Sequence, residues 1–235
     1  MERNRLYLLG AAAGAAIVVA AVLVLAGTGG SPPAKTTTST VATETTPAVP
    51  TASLAGIPQH GDILGRASAP VTIRIFEDPQ CPYCREWNIG TLPSVIATYV
   101  KTGRVNLVYR GIEIIGPNSE RGLRAVYAAG EQNKLWQMVD ALYARQGVET
   151  SGWITDAVIT SAAHEVGANA AEILAASSSA AVTAMLKSSE HEATVDAVGG
   201  TPTFVVQRPP ALPTQLQLSS LDPASFAAAL DPLLK

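Results

Sequence analysis

The chain of 235 residues has two cysteines, Cys81 and Cys84, three positions apart in DPQCPYCREW, which begins one residue after the run VTIRIF. Residues 71–76 follow Ala69-Pro70 and are mostly β-branched or aromatic, so they are expected to form a strand. Pro82 lies where a first helical position tolerates proline, so a helix should start inside the motif. A C-x-x-C at such a junction brings two sulfurs within bridging range on one helical turn. The first sulfur then sits near a helix N-terminus, where unpaired N–H groups and the macrodipole favour an anion. That setting lowers a thiol pKa from about 8.5 into a range of roughly 3.5–7.5. The thiolate is the attacking species in disulfide exchange. Cys81 is therefore the expected nucleophile and Cys84 the expected resolving thiol, with Pro82 and Tyr83 supporting them.

The same spacing serves as half of a zinc site, but two further ligands would be needed. His60, His164 and His191 are scattered without ligand spacing, and His164 and His191 read as polar helix surface. A purely structural bridge this short would cross-link very little chain. Redox use is the expectation, with no metal and no cofactor beyond a redox-active Cys81–Cys84 disulfide.

Residues 6–26 are uncharged and almost wholly apolar, with Arg3 and Arg5 before them and Lys35 as the next basic residue. At about 1.5 Å per residue the run crosses a hydrocarbon core of about 30 Å. Residues 1–27 are accordingly expected to be a short cytoplasmic tip and a transmembrane anchor with the body outside. A cleaved signal peptide is the competing reading, although its apolar region would be shorter. Residues 28–55 are rich in Thr, Pro, Ser and Ala without an apolar period, which predicts a disordered linker. A net charge of −3 with 15% charged residues gives no basic footprint for nucleic acid.

The folded body is expected over 56–235. A helix from Pro82 to about Thr102, kinked at Pro93 and ended by Gly103, leads to a second strand at 104–110. Strand, helix and strand form a βαβ unit with parallel pairing. Residues 119–146 show helical periodicity, broken at Gly130. Residues 153–166 and 170–196 also read as helices. GGTPTFVVQ then reads as a strand, LQLS at 216–219 as a fourth, and 223–234 as a closing helix capped by Asp222. Pro202 opens its strand, where a cis X–Pro bond or a plain loop boundary would both serve.

These segments together resemble the DsbA-like branch of the thioredoxin superfamily over about 65–235. APVTIRIFEDPQCPYC is similar to that family's strand and C-P-x-C. RAVYAAGEQNKLWQMVDALYARQ is similar to its helical insertion, here about 116–197, and VGGTPTF to its cis-proline loop. The resemblance implies an α/β, thioredoxin-like βαβ–ββα fold. It also implies a cis Pro202 beside Cys81, with Thr201 and Pro202 presenting backbone to a substrate cysteine. Substrates would form a mixed disulfide with Cys81 that Cys84 resolves. The implied partners are reduced, unfolded exported proteins and a membrane quinone-linked re-oxidase of the DsbB or vitamin K epoxide reductase-like kind. The implied activity is a protein thiol–disulfide oxidoreductase donating disulfides outside the cytoplasm. A reductase or isomerase using the same residues is an alternative, as is a non-catalytic exported peptide- or metal-binding module. Tyr83 replaces the histidine of the best-known strong oxidants, so no charge from that position aids the thiolate. Asp78 matches an acidic position of many family motifs. Glu77 is expected to be solvated rather than to move protons, and Arg85 to be exposed.

Overall fold

The computed structural model describes residues 54–235. The expected anchor at 1–27, and the expected linker up to residue 53, lie outside the described residues. Among the described residues no helix is long and apolar enough to cross a membrane.

A six-stranded sheet with spatial order β1-β2-β4-β3-β5-β6 organises the body. β3 (Val71–Glu77) and β4 (Val105–Gly111) pair in parallel, as a crossover through a helix demands. β5 (Thr203–Gln207) returns antiparallel to the other side of β3, with Phe76 opposite Thr203. That register puts the end of β3, and hence the CPYC motif, beside the Thr201-Pro202 turn. β6 (Thr214–Gln215) edges the sheet. It lies just before the expected 216–219 strand, because only Leu216 N continues the pairing, donating to Phe204 O at 2.8 Å. β1 (Gln59–His60) and β2 (Ile63–Leu64) form a hairpin whose turn opens with Gly61 at φ +59, a conformation glycine adopts without strain.

The helix after the motif is less regular than a single kinked rod. It runs as α1 (Pro82–Glu86), a π-helical turn (Trp87–Thr91), α2 (Leu92–Val95) and a second π-helical turn (Ile96–Val100). Pro93 has no N–H to return to the preceding turn, and the wider turns flank the short segment that holds it. The helical insertion comprises α3 (Pro117–Gly130), α4 (Leu135–Ala144), α5 (Asp156–Glu165), α6 (Ala170–Ala176) and α7 (Ala180–Val195). The expected single helix over 170–196 is thus two. Ser179 caps the second by accepting from Val182 N at 3.1 Å, an alternative that serine offers the backbone in an Ala/Ser-rich run. α8 (Pro223–Leu230) closes the fold under an Asp222 cap and ends in a 3-10 turn (Asp231–Leu234).

The two faces of the sheet are covered differently. Ile73, Ile75, Leu107 and Phe204 join the main apolar core, which begins as early as Leu54. On the other face a small cluster of Phe76, Ile112, Ala193 and Val205 packs under α7. Charge does the rest there: Arg74 meets Asp196 at 2.5 Å, and Arg110 meets Glu192 at 2.9 Å and also Asp62. Trp87, fully buried, stands 4.5 Å from Phe204 edge-on and 4.9 Å from Phe226. Aromatic pairs at that spacing add to their area burial. The helix carrying the cysteines is thereby locked to the strand that follows Pro202.

Candidate active site

Cys81 immediately precedes α1 with an extended backbone (φ −73, ψ 120), and Pro82 occupies the start of the helix. Cys81 keeps 4% of its surface and Cys84 none, and both thiols are free. Tyr83, between them in sequence, is exposed. The Thr201–Pro202 bond is cis, and Cys81 Sγ donates to Thr201 O at 3.3 Å. The structure therefore brings Cys81, Cys84, Thr201 and Pro202 together. His60, His164 and His191 stand apart and exposed on β1, α5 and α7.

The two thiols are driven in opposite directions. The Cys81 thiol is lowered to about 6, chiefly by the hydrogen bond it receives from Cys84, with help from the N–H groups of Cys84 and Tyr83 and against burial. The two N–H contributions, the smaller part of the shift, are the helix N-terminus acting on an anion. Burial pushes the Cys84 thiol up, and so do its role as donor to Cys81 and the nearby negative charge of Glu77. Alkylation of the reduced protein is expected to follow from this. Modification of Cys81 by iodoacetamide should rise with pH to a half-maximum near 6, while Cys84 stays unmodified. A half-maximum near the free-thiol value of about 8.5, located by mass mapping, would show that the site does not stabilise the thiolate.

Glu77 departs from expectation. β3 continues through it, and the helical insertion covers it, so it is 2% exposed rather than solvated. Burial raises its pKa well above the usual carboxylate value, opposed by a hydrogen bond from Asn88 and reinforced by Asp140 and Cys81. Asn88 Nδ2 donates to Glu77 Oε1 at 2.7 Å and to Cys84 O at 2.9 Å. The Tyr143 hydroxyl, from α4, donates to Asp78 O at 3.1 Å and lies 3.4 Å from Glu77 Oε2. Half-buried Asp140, one turn earlier on α4, is itself pushed up to about 8 by burial. Arg85 donates to Tyr143 O at 3.1 Å and is otherwise exposed.

The loop before Cys81 is held from the insertion. Asp78 is fully buried and accepts from Gln80 N, Ser119 Oγ, Ile114 N and Ile115 N at 2.7–2.9 Å. Gln80 Nε2 donates to Ser119 Oγ at 2.8 Å and its Oε1 accepts from Thr150 N at 2.9 Å. Gln146 Nε2 donates to Pro79 O at 2.8 Å and to Cys81 O at 3.0 Å. Gln80, Ser119, Gln146, Asn88 and Tyr143 carried no signal in the sequence, because their partners lie on other elements. Only the acidic character of residues 77–78 pointed this way.

The sequence model of the family described as Thioredoxin matches residues 59–209. A probable disulfide bond formation protein D of Bacillus cereus is 35% identical over 104 residues, 43% of this chain and 48% of that protein. The match thus spans about half the length of that relative. Among solved structures, a thioredoxin-like oxidoreductase from Silicibacter pomeroyi is 27% identical with a TM-score of 0.59, covering 75% of this chain and 91% of the other. BdbD from Bacillus subtilis, crystallised oxidised, has a TM-score of 0.65 at 17% identity, covering 76% and 97%, and shares the fold. With CPYC at the β3–α1 junction inside a parallel βαβ unit, a cis-proline turn beside it and a helical insertion between β4 and β5, the chain belongs to the thioredoxin family and has the fold of its DsbA-like members.

Proposed function

We propose that the protein is an exported thiol–disulfide oxidoreductase that donates its Cys81–Cys84 disulfide to folding proteins outside the cytoplasm. The observation that carries this reading is the opposed pair of thiols, with Cys81 lowered to about 6 beside the Thr201–cis-Pro202 turn and Cys84 raised and sealed behind it. A stabilised thiolate favours the reduced form, which makes the disulfide easier to give away. The apolar run at 6–26 and the linker after it support a membrane-anchored body on the outer side, a compartment that permits disulfides.

A substrate thiolate attacks Cys81 Sγ, the Cys81–Cys84 bond breaks, and Cys84 leaves with the electron pair. Cys84 takes a proton from the Glu77 carboxyl, which burial keeps available as an acid. A second substrate thiolate then attacks the substrate sulfur of the mixed disulfide. The substrate disulfide departs, and Cys81 is released as the thiolate the site favours. Thr201 and Pro202 offer backbone to the substrate segment beside the mixed disulfide, while Pro82 starts the helix and Tyr83 lines the approach. No cofactor takes part beyond the cysteine pair. The two electrons gained must pass to a re-oxidant, for which a membrane quinone-linked enzyme of the DsbB or vitamin K epoxide reductase-like kind is the fitting class.

Equilibration of the full chain with glutathione redox buffers tests the direction of transfer. The expected reduction potential lies well above thioredoxin's value of about −270 mV, together with stoichiometric oxidation of a reduced, unfolded protein. A potential at or below the thioredoxin value would assign the protein to the reductases instead.

A further inference from the structure

We infer that Asn88 is a positioning residue whose side-chain amide is a fixed donor holding the Glu77 carboxylate beside Cys84, so that the proton of Cys84 has an acceptor inside a sealed site. This rests on the proposed redox reading and adds to it a residue outside the motif.

The orientation of the amide follows from its neighbours. Asn88 is 4% exposed and its Nδ2 contacts two oxygens, Glu77 Oε1 at 2.7 Å and Cys84 O at 2.9 Å. A backbone carbonyl only accepts, so the atom facing Cys84 O must be the nitrogen. A flip would set two acceptors against each other. The bond to Cys84 O therefore pins the amide, and Glu77 meets a donor whatever its own charge. A donor favours the carboxylate over the acid. The cost is visible on the other side of the same group, where Asn88 Oδ1 is buried without a partner among the described residues. An orphaned buried acceptor is destabilising, and its persistence fits an amide placed for what its nitrogen does. The wide π-helical turn Trp87–Thr91 carries the residue, and such turns occur frequently at functional sites.

Without that donor, the surroundings of Glu77 oppose its ionisation. From the motif come Cys81 and Cys84, from α4 Asp140, from β4 Tyr109, and Asp78 adjoins in sequence. The one other donor near Glu77 is the Tyr143 hydroxyl, whose single proton is shared with Asp78 O at 3.1 Å and whose contact with Glu77 Oε2, at 3.4 Å, is the longer one. Asn88 is thus the main group that holds Glu77 able to accept.

The measurement is a single-turnover reaction of the reduced full chain with the aromatic disulfide bis-thionitrobenzoate. Cys81 thiolate attacks the reagent, releasing one coloured thiolate and leaving a mixed disulfide. Cys84 then gives its proton to Glu77 and displaces the second coloured thiolate, closing the Cys81–Cys84 disulfide. In Asn88→Leu the first phase is expected within about twofold of the parent, while the second slows about tenfold at pH 7 and its pH midpoint rises by about one unit, since a factor of ten corresponds to one unit. Asn88→Gln, which keeps a donor, is expected to recover most of the second phase. In a Glu77→Gln background Asn88→Leu should add nothing further. Equal slowing of both phases, or the same shift in the Glu77→Gln background, would mean Asn88 acts on folding alone and overturns the inference. If Glu77→Gln itself leaves the second-phase pH profile unmoved, the proton role of Glu77 fails as well. If Glu77→Gln moves the profile and Asn88→Leu does not, only the role of Asn88 falls.

Discussion

Replacing Cys81 with serine is expected to reduce disulfide exchange with a reduced, unfolded protein to the uncatalysed rate, the largest single loss any substitution here should cause. A thiol lowered to about 6 is about nine-tenths thiolate at pH 7, against about one in thirty for a free cysteine of pKa about 8.5. A serine hydroxyl provides no anion at that pH and forms no S–S bond. Cys84→Ser should behave differently. Cys81 remains able to attack a substrate disulfide, but the attacking thiol that would release the product is gone, so the protein accumulates as a mixed disulfide. Non-reducing gels of the two variants after incubation with a disulfide-bonded protein, whose displaced sulfur leaves as thiolate, separate these outcomes: covalent complexes with Cys84→Ser and none with Cys81→Ser. Exchange that continues unchanged in Cys81→Ser would sink the assignment of the nucleophile and leave a binding module as the better reading. Complexes formed by Cys81→Ser would exchange the two roles, against the complete burial of Cys84.

The parts of the fold legible in the sequence were those with local causes. VTIRIF carries β-branched and aromatic residues at strand spacing, and it is β3. Pro82 and Asp222 mark helix starts by covalent geometry and capping, and both helices begin there. Gly130 ends α3 as its lack of a side chain suggests. What escaped was set by partners remote in sequence. Glu77 reads as a polar residue at a strand end, and nothing in its neighbours reveals that α4 will cover it. Its hydrogen-bond partners Asn88 and Tyr143 lie 11 and 66 positions away. β1, β2 and β6 have two residues each, too few to show a period. The proximity of Cys81 and Thr201 spans 120 positions. It was implied by family resemblance, not by any property of the intervening residues. Its physical basis is the antiparallel pairing of β3 with β5 and the packing of Trp87 on Phe204.

Asp78→Ala is expected to be the most damaging change outside the cysteines, for a reason distinct from redox chemistry. Asp78 is fully buried and accepts four hydrogen bonds, but none comes from a lysine or arginine. Three of the donors are backbone N–H groups and the fourth is the Ser119 hydroxyl. Removing the carboxylate strands these donors in the interior, where each unsatisfied group costs about 1–3 kcal/mol, and partial rehydration of the gap would leave a net loss of about 4 kcal/mol. Asn at the same place keeps one acceptor oxygen but turns an NH2 toward groups that also donate, so it should destabilise by about half as much. Urea unfolding of the reduced protein measures both losses. A shift below about 1 kcal/mol for Asp78→Ala would show that water fills the place without penalty. The consequence for the site follows from what the donors hold. Ile114 and Ile115 lie in the chain entering the insertion, Ser119 in the first turn of α3, and Gln80 beside Cys81. Losing their common acceptor frees the 78–81 loop from the insertion. The first turn of α1 then no longer presents its N–H groups to Cys81 at a fixed position. The alkylation midpoint of Cys81 should accordingly move upward from about 6 in whatever fraction of the variant remains folded. Stability and thiolate character would fall together in this variant, whereas Asn88→Leu is expected to leave Cys81 unchanged and to act on Cys84 alone.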